Sequence, residues 1–146
     1  MVTNAASSAF PATPNELAPL CHDERVPARF KDLALDAVDH QALADWWCAA
    51  LGYRRSDELY PRDDGWTRPA AWPTPIADPA GSGPLIWLNP VAEQKSVKNR
   101  MHLDVYGDSE ELVELGATVV RRRGAEIDWD VLADPEGNEI CVFQPE

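Results

Sequence analysis

The amino-acid sequence predicts an α+β domain of two tandem βαβββ modules, which form one cupped mixed sheet with the helices outside. The prediction rests on a repeated order of elements: a strand, an Asp, a helix that ends in Leu-Gly, and further strands. This order occurs around Asp39 and Gly52 and again, with a shorter helix, around Asp108 and Gly116. Internal repetition of this kind indicates one supersecondary unit used twice. The modules are predicted at about residues 29–90 and 98–144, within a domain that covers residues 29–146.

The first module begins with a strand and a helix. Residues 30–37 alternate between aliphatic and polar side chains, which is the period of a strand with one apolar face. Asp39 stands where a helix N-cap belongs, and Gly52 stands where a helix ends. Apolar residues recur at helical spacing between them, so a helix is predicted over about residues 40–51. Residues 53–83 are dense in Pro and Asp, and their strands are not placed.

After residue 83 the elements are clearer. Residues 84–89 form an apolar run typical of a buried strand, and residues 100–106 alternate again. A short helix is predicted over about residues 109–115, closed by Gly116. Three more strands are predicted at residues 117–121, 127–133 and 139–143, the last two joined by a turn at residues 134–138.

Composition and charge exclude several classes of protein. The chain has 146 residues, of which 45% are hydrophobic, so it is long enough for one domain with a real core. It has 13 Lys and Arg against 25 Asp and Glu, and the formal net charge of −12 repels nucleic acid and anionic membranes. No stretch approaches the roughly 20 apolar residues of a membrane span. We therefore expect a partner that is neither nucleic acid nor membrane.

The beginning of the chain and its cysteines indicate the compartment. Residues 1–28 are rich in Ala, Ser and Pro without periodicity, and they are predicted to form a flexible arm outside the fold. They lack the pattern of a secretory signal peptide. Cys21, Cys48 and Cys141 are isolated in the sequence, which is typical of reduced thiols. We therefore expect a soluble, cytoplasmic protein.

Strand parity places polar and aromatic side chains on one face. Leu33 and Leu35 belong to an aliphatic face that recurs in the other strands and suits packing beneath helices. The opposite faces then converge on a cup. A cup that combines an imidazole, carboxylates, a thiol and aromatic rings suits a small ligand. The inward positions are Asp32, Ala34, Asp36, Leu85, Trp87, Asn89, His102, Asp104, Tyr106, Glu139, Cys141 and Phe143.

Three stretches of the sequence resemble the glyoxalase/bleomycin-resistance group, the vicinal oxygen chelate superfamily, and specifically its small glyoxalase-like proteins. They are residues 39–52 (DHQALADWWCAALG), 98–104 (KNRMHLD) and 132–143 (LADPEGNEICVF). The resemblance extends over about residues 29–144. It implies paired βαβββ modules around a cleft, in which four inward side chains hold a divalent metal. The metal then polarises two neighbouring oxygens of a substrate.

The resemblance places the four ligand positions on Asp32, Asn89, His102 and Cys141. Only His102 is of the usual ligand type, because an amide and a thiol stand where the family commonly has carboxylates. We therefore expect an eroded metal site and no resident cofactor. If a metal is bound, Asp32, His102 and Cys141 form a zinc-competent set of O, N and S ligands.

The chemistry of these residues has alternatives that the sequence leaves open. His102 is a metal ligand, a general base or a hydrogen-bonded interior histidine. Cys141 is a nucleophile activated by an imidazole, or it is plain packing, and nearby carboxylates would raise its pKa. Asp32 forms an acid–base pair with Asp104 or Glu139, or it is solvated or paired with a cation.

Aromatic and basic residues elsewhere also have two interpretations. Trp46 and Trp47 are adjacent on the predicted helix, so one of them is expected to point away from the apolar stripe, where it could meet another subunit. A homodimer is therefore one expected assembly. Residues 121–123 are three arginines, which form either a phosphate clamp or a solvated charge run.

Two functions are compatible with this sequence. The first is a domain that binds a small polar or planar metabolite without chemistry, with His102 and Asp104 as polar anchors and Trp87, Tyr106 and Phe143 as walls. The second is a metal-dependent lyase, isomerase or dioxygenase. The eroded ligand set favours the first, and whether the protein is an enzyme stays open.

Overall fold

The computed structural model describes residues 30–144, so the arm predicted at residues 1–28 lies outside the described residues. Between residues 30 and 144, no helix has the length and apolar character needed to cross a membrane. In chain order the elements are β1 (Leu33–Ala37), α1 (His40–Leu51), β2 (Arg54–Arg55), α2 (Ser56–Leu59), β3 (Thr74–Ala77), β4 (Ile86–Pro90), β5 (Leu103–Tyr106), α3 (Ser109–Glu114), β6 (Thr118–Arg121), β7 (Asp130–Ala133) and β8 (Glu139–Phe143).

These elements form the two predicted βαβββ modules, each with a four-stranded sheet. The strand order is β1-β4-β3-β2 in the first sheet and β5-β8-β7-β6 in the second. In both sheets the first and last strands of the module pair in parallel, and the remaining pairs are antiparallel. The α+β fold class and its two modules are therefore confirmed, but the strands form two sheets instead of the one that was predicted.

The middle of the first module contains elements that the sequence did not place. The short helix α2 follows the two-residue strand β2, and β3 lies between β4 and β2 in the sheet. Pro75 lies within β3, opposite Trp87. Because a proline cannot donate a ladder hydrogen bond, it weakens any strand pattern in the sequence.

Two strands start later than their alternating patterns predicted. β5 begins at Leu103, opposite Ile140 of β8, and β7 begins at Asp130, opposite Val142. An alternating pattern continues for as long as the chain is extended, whereas a strand is bounded by the partner with which it pairs. The residues before each start belong to loops.

The core is one cluster that runs through both modules, and strand parity is confirmed. Leu88, Leu132 and Val142 are fully buried, while Leu33 and Leu35 pack against the same cluster. The alternate residues of β1 are exposed to solvent. The aliphatic faces therefore pack beneath the helices, and the opposite faces of β1 and β5 remain open, whereas Cys141 of β8 is buried.

Trp46 and Trp47 both lie in the core, so the expectation that one of them points away is wrong. They are 8% and 1% exposed, and their rings meet edge to face at 5.0 Å. Nε1 of Trp46 donates to the carbonyl of Leu115 over 3.1 Å. Nε1 of Trp47 donates to Oδ2 of Asp134, also over 3.1 Å. Because α1 packs against both modules, each side of its apolar stripe finds a partner within the chain.

The turn at residues 134–138 fastens the second module to the start of α1. The Asp134 side chain is buried and accepts hydrogen bonds from Trp47, from the backbone N–H groups of Glu136 and Asn138, and from Nδ2 of Asn138. The Glu136 carboxylate accepts from the backbone N–H groups of Val38 and Asp39, over 3.0 and 2.7 Å. These bonds set how the two sheets lie next to each other.

Candidate functional site

The two modules have matching registers, which define equivalent positions on their cupped faces. Leu33 pairs with Ile86 in the first module, and Leu103 pairs with Ile140 in the second. Residues at the same distance along the strand from Leu33 and Leu103, or from Ile86 and Ile140, are therefore equivalent in the internal repeat. The equivalent positions are Asp32 and His102, Ala34 and Asp104, Asp36 and Tyr106, Trp87 and Cys141, and Asn89 and Phe143.

This equivalence transfers one of the four ligand positions that the resemblance implied, from Asn89 to Trp87. Cys141 is matched in the first module by Trp87, whereas Asn89 lies two residues further along β4 and matches Phe143. Asn89 instead donates from Nδ2 to Oδ1 of Asp36 over 3.2 Å. An indole nitrogen carries a hydrogen and has no free lone pair, so Trp87 cannot act as a metal ligand.

The first-module half of the cup is closed by its own contacts. Nε1 of Trp87 donates to Oδ2 of Asp32 over 3.0 Å, and Lys31 forms an ion pair with the same carboxylate. The hydrogen bond from Lys31 and the one from Trp87 lower the pKa of Asp32 from its ordinary value. Asp32 is therefore a charged, bonded carboxylate, which corresponds to the cation-paired alternative of the sequence analysis.

A loop covers the face of Trp87. The guanidinium of Arg68 lies 5.7 Å from the centroid of the Trp87 ring and 5.6 Å from that of Trp66. Both oxygens of Asp57 accept from this guanidinium, over 2.7 and 3.1 Å. Arg68 and Asp57 were not among the residues predicted for the site. The one feature of the sequence that could have indicated them is the presence of Trp66 and Trp72 in a polar, Pro-rich segment.

The second-module half brings together an imidazole, a carboxylate and a thiol. Nδ1 of His102 lies 3.2 Å from Oδ1 of Asp104 and 3.5 Å from Sγ of Cys141. Burial raises the pKa of the Cys141 thiol, and the neighbouring Asp104 carboxylate raises it further. The thiol therefore remains protonated at neutral pH, which disfavours the nucleophile considered above.

Aromatic rings line the same half. The Phe143 ring lies 6.3 Å from Tyr106 and 5.3 Å from Trp129, measured between centroids. Tyr106 is 69% exposed, and the side chains of His102 and Asp104 are also exposed. This half of the cup is therefore open to solvent, with a flat apolar surface beside two polar groups. Trp129 is an aromatic residue that the sequence analysis did not assign to the site.

One of the cavities between the modules is small. A cavity of about 90 Å³ lies where their edges meet, with Ala34, His102 and Glu139 in its lining. Glu139 is bonded to the segment between the modules, because its carboxylate accepts from the Asn99 backbone over 2.8 Å and lies 3.7 Å from Nζ of Lys95. Cavities that enclose a small molecule are usually about 300–1,000 Å³. A molecule of that size does not fit this cavity, whereas an open cleft of about 700 Å³ is lined by Ala34, Asp36 and Arg100.

The residues do not fit the four-ligand metal centre that the family implies. Within the described chain, His102, Asp104 and Cys141 form a group whose possible ligand atoms all lie within 4.8 Å of one another, and Asp32 is not part of it. The fourth position is the non-ligating Trp87. The raised pKa of Cys141 also opposes the loss of the proton that coordination requires. What the three residues offer is a set of N, O and S donors of the zinc type.

The arginines at positions 121–123 are paired with carboxylates. Arg121 pairs with Glu126, and Arg122 and Arg123 lie against the buried Asp130, at 3.4 and 3.7 Å. Arg122 also contacts a glutamate of α3. Because their charges are matched within the chain, these residues do not form a free anion site, and the phosphate clamp is not favoured.

The paired βαβββ modules and their cupped faces define a protein of the glyoxalase/bleomycin-resistance fold, the vicinal oxygen chelate superfamily. The model of the glyoxalase-like domain family matches residues 32–143, and the chain belongs to that family. The resemblance seen in the sequence is therefore confirmed. The comparison with curated proteins finds no match.

Solved structures share the fold at low sequence identity. A possible glyoxalase from Bacillus cereus is 22% identical, with a TM-score of 0.53 over 79% of this chain and 97% of that one. The fosfomycin resistance protein from Mesorhizobium loti is 9% identical, with a TM-score of 0.57 over 81% and 92%. The trypanothione-dependent glyoxalase I of Leishmania major is 16% identical, with a TM-score of 0.52 over 80% and 86%. At these identities the likeness extends to the fold alone.

Proposed function

We propose that the protein binds a small polar or planar molecule on the second-module half of its cup and catalyses no reaction on it. The observation that carries this proposal is the exposed ring of Tyr106, which lies beside Phe143 and on the same face as His102 and Asp104. An aromatic ring that is 69% exposed leaves much apolar surface in water. A flat ligand would remove that surface from water while the two polar side chains fix its orientation.

The walls of this site differ from the expected set. Trp87 is covered by Arg68, so Trp129 joins Tyr106 and Phe143 as the aromatic surface. Cys141, whose pKa is raised, is a neutral group at the floor of the site. None of these contacts supplies an activated nucleophile, which supports binding without chemistry.

A second candidate function is a metal-dependent lyase, isomerase or dioxygenase. The observation that favours it is the group of His102, Asp104 and Cys141, whose donor atoms lie within 4.8 Å of one another. These residues would hold a zinc-type ion, and such an ion would polarise a substrate oxygen as a Lewis acid. A measurement of bound metal distinguishes the two candidates.

Two exposed tyrosines provide a matched pair of variants. Tyr106 and Tyr60 are 69% and 68% exposed, and only Tyr106 belongs to the cup. A metabolite screen by thermal shift, followed by calorimetry on each hit, should give ligands whose affinity falls at least tenfold in Tyr106→Ala. The same ligands should bind Tyr60→Ala within about twofold of the wild type, because a remote surface residue contributes little. A screen without hits, or equal losses in the two variants, would contradict the proposal.

The compartment and the assembly are part of the proposal. We place the protein in the cytoplasm, because the thiols of Cys48 and Cys141 are both free. A homodimer stays a prediction. The tryptophan pair no longer supports it, because both rings are buried within one chain. Light scattering of the purified chain checks it.

A further inference from the structure

Arg68 is held in the way that proteins hold a flat cation. Its guanidinium lies over the rings of both Trp66 and Trp87, at 5.6 and 5.7 Å from their centroids, and its side chain is 21% exposed. Asp57 accepts from it with both carboxylate oxygens. Two π faces and a two-pronged carboxylate match the shape and charge of a planar cation.

The surroundings of Arg68 have the character of a binding site. Trp66 and Trp72 lie 6.1 Å apart and are 38% and 53% exposed. The exposed parts of these two indole rings leave apolar surface in water beside Arg68. The Asp32 carboxylate is bonded to the edge of Trp87 and paired with Lys31.

A second arginine of the same loop shows what an ordinary surface contact looks like. The guanidinium of Arg62 lies 5.3 Å from the Trp66 centroid, but its side chain is 62% exposed, and it pairs with Asp64, two residues away. Arg68 reaches eleven residues back to Asp57 and contacts two rings instead of one. The two arginines therefore serve as site residue and control.

We infer that the position of the Arg68 guanidinium, over Trp66 and Trp87 and against Asp57, is a binding site for a flat organic cation, such as an amidinium, and that Arg68 is the internal occupant such a ligand displaces. This site goes beyond the proposed function, because Trp87 lies on the first-module half of the cup and Tyr106 on the second. Removing the Arg68 side chain would leave the Asp57 carboxylate and the two indole faces without the cation they share. A ligand of the same shape and charge restores those contacts, whereas a neutral ligand of the same shape does not.

The test compares benzamidinium with benzamide, two flat molecules of similar size that differ in charge. Calorimetry on the full chain should show that Arg68→Ala and Arg68→Ser bind benzamidinium at least tenfold more tightly than the wild type. The affinity for benzamide should change less than twofold, and Arg62→Ala should behave as the wild type does. In NMR spectra of Arg68→Ala, benzamidinium should shift the indole N–H signals of Trp66 and Trp87, assigned with Trp66→Phe and Trp87→Phe.

Each other outcome overturns the inference. Equal gains for both probes would mean that the site is merely apolar. If neither Arg68 variant gains affinity for benzamidinium, or if both variants lose the near-ultraviolet circular dichroism signal of the folded chain, Arg68 has a structural role in the loop. The Tyr106→Ala measurement separates this result from the proposed function. Screen hits that depend on Tyr106, together with no gain in the Arg68 variants, would leave the proposed function standing and remove only the cation site.

Discussion

Nε1 of Trp87 donates to Oδ2 of Asp32 over 3.0 Å, at the positions where the second module places Cys141 Sγ 3.5 Å from Nδ1 of His102. The internal repeat thus carries two different pairs at one structural position. In the first module the pair is bonded to itself and covered by Arg68. In the second, His102 is exposed. The asymmetry accounts for the loss of a shared four-ligand centre and leaves one half of the cup free for a ligand.

The hydrogen bond from Trp87 to Asp32 should make the Trp87 indole a reporter of the titration of the Asp32 carboxylate. The pKa of Asp32 is lowered by Lys31 and by Trp87, so its contribution to stability is present above the unfolded pKa of about 3.9 and is lost as the pH falls through the folded value. We expect the indole N–H signal of Trp87 to stay constant from about pH 7 to pH 4 and to move below that. NMR titration measures it.

Two variants at the start of the first module serve as the matched pair for this titration. Asp32→Asn should abolish the movement of the Trp87 signal, whereas Asp36→Asn should retain it, because Asp36 bonds to Asn89 instead. A Trp87 signal that already moves between pH 5 and pH 4 would contradict the lowered pKa of Asp32.

Cys141 should react slowly with alkylating agents. Burial and Asp104 raise its pKa, whereas a free thiol has a pKa of about 8.5. In a Cys21→Ser, Cys48→Ser background, we expect iodoacetamide at pH 8 to modify Cys141 at least tenfold more slowly than glutathione. A rate equal to or above that of glutathione would indicate that Cys141 is an activated nucleophile.

Replacing Asp104 should accelerate the same reaction. Asp104→Asn removes a carboxylate that raises the pKa of Cys141, so the thiolate fraction and the alkylation rate should increase several-fold. Asp128→Asn, an exposed change outside the cup, should leave the rate unaltered. If both variants react alike, Asp104 has no influence on the thiol.

Asp134→Ala should be strongly destabilising. The variant leaves the indole N–H of Trp47 and two backbone N–H groups without an acceptor in a buried place. Since each unsatisfied buried donor costs about 1–3 kcal/mol, we expect the free energy of unfolding to fall by about 3 kcal/mol or more. Urea denaturation measures the loss, and exposed Asp128→Ala should change stability by less than about 0.5 kcal/mol.

Metal analysis tests the eroded site. Mass spectrometry of untagged protein, before and after exposure to nickel or zinc and removal of the excess, should give well below one ion per chain. Because Trp87 cannot ligate and the pKa of Cys141 is raised, turnover of the glutathione hemithioacetal should be absent with either metal. One stoichiometric ion that disappears in His102→Ala would instead favour the metal-dependent candidate.

Much of the fold was readable in the sequence because its signals are local. The helix at residues 40–51 follows from its cap, its apolar spacing and Gly52, and the structure has these limits. The parity of β5 follows from alternation over its four residues. Parity also assigned the cup side of the strands correctly, since a side chain one residue along a strand must point to the other face.

The state of the cup depended on contacts between distant parts of the chain. Trp87 and Asp32 are 55 positions apart, and Trp47 and Asp134 are 87 apart. No local pattern encodes that Arg68 covers Trp87, that both adjacent tryptophans are buried, or that Asp104 rather than Asp32 joins His102 and Cys141. Residue types and strand parity thus define which side chains are available to the cup. Packing of the loop and of the two modules decides which of them are bonded to one another and which remain open, because that choice is made by long-range contacts that form only in the folded chain.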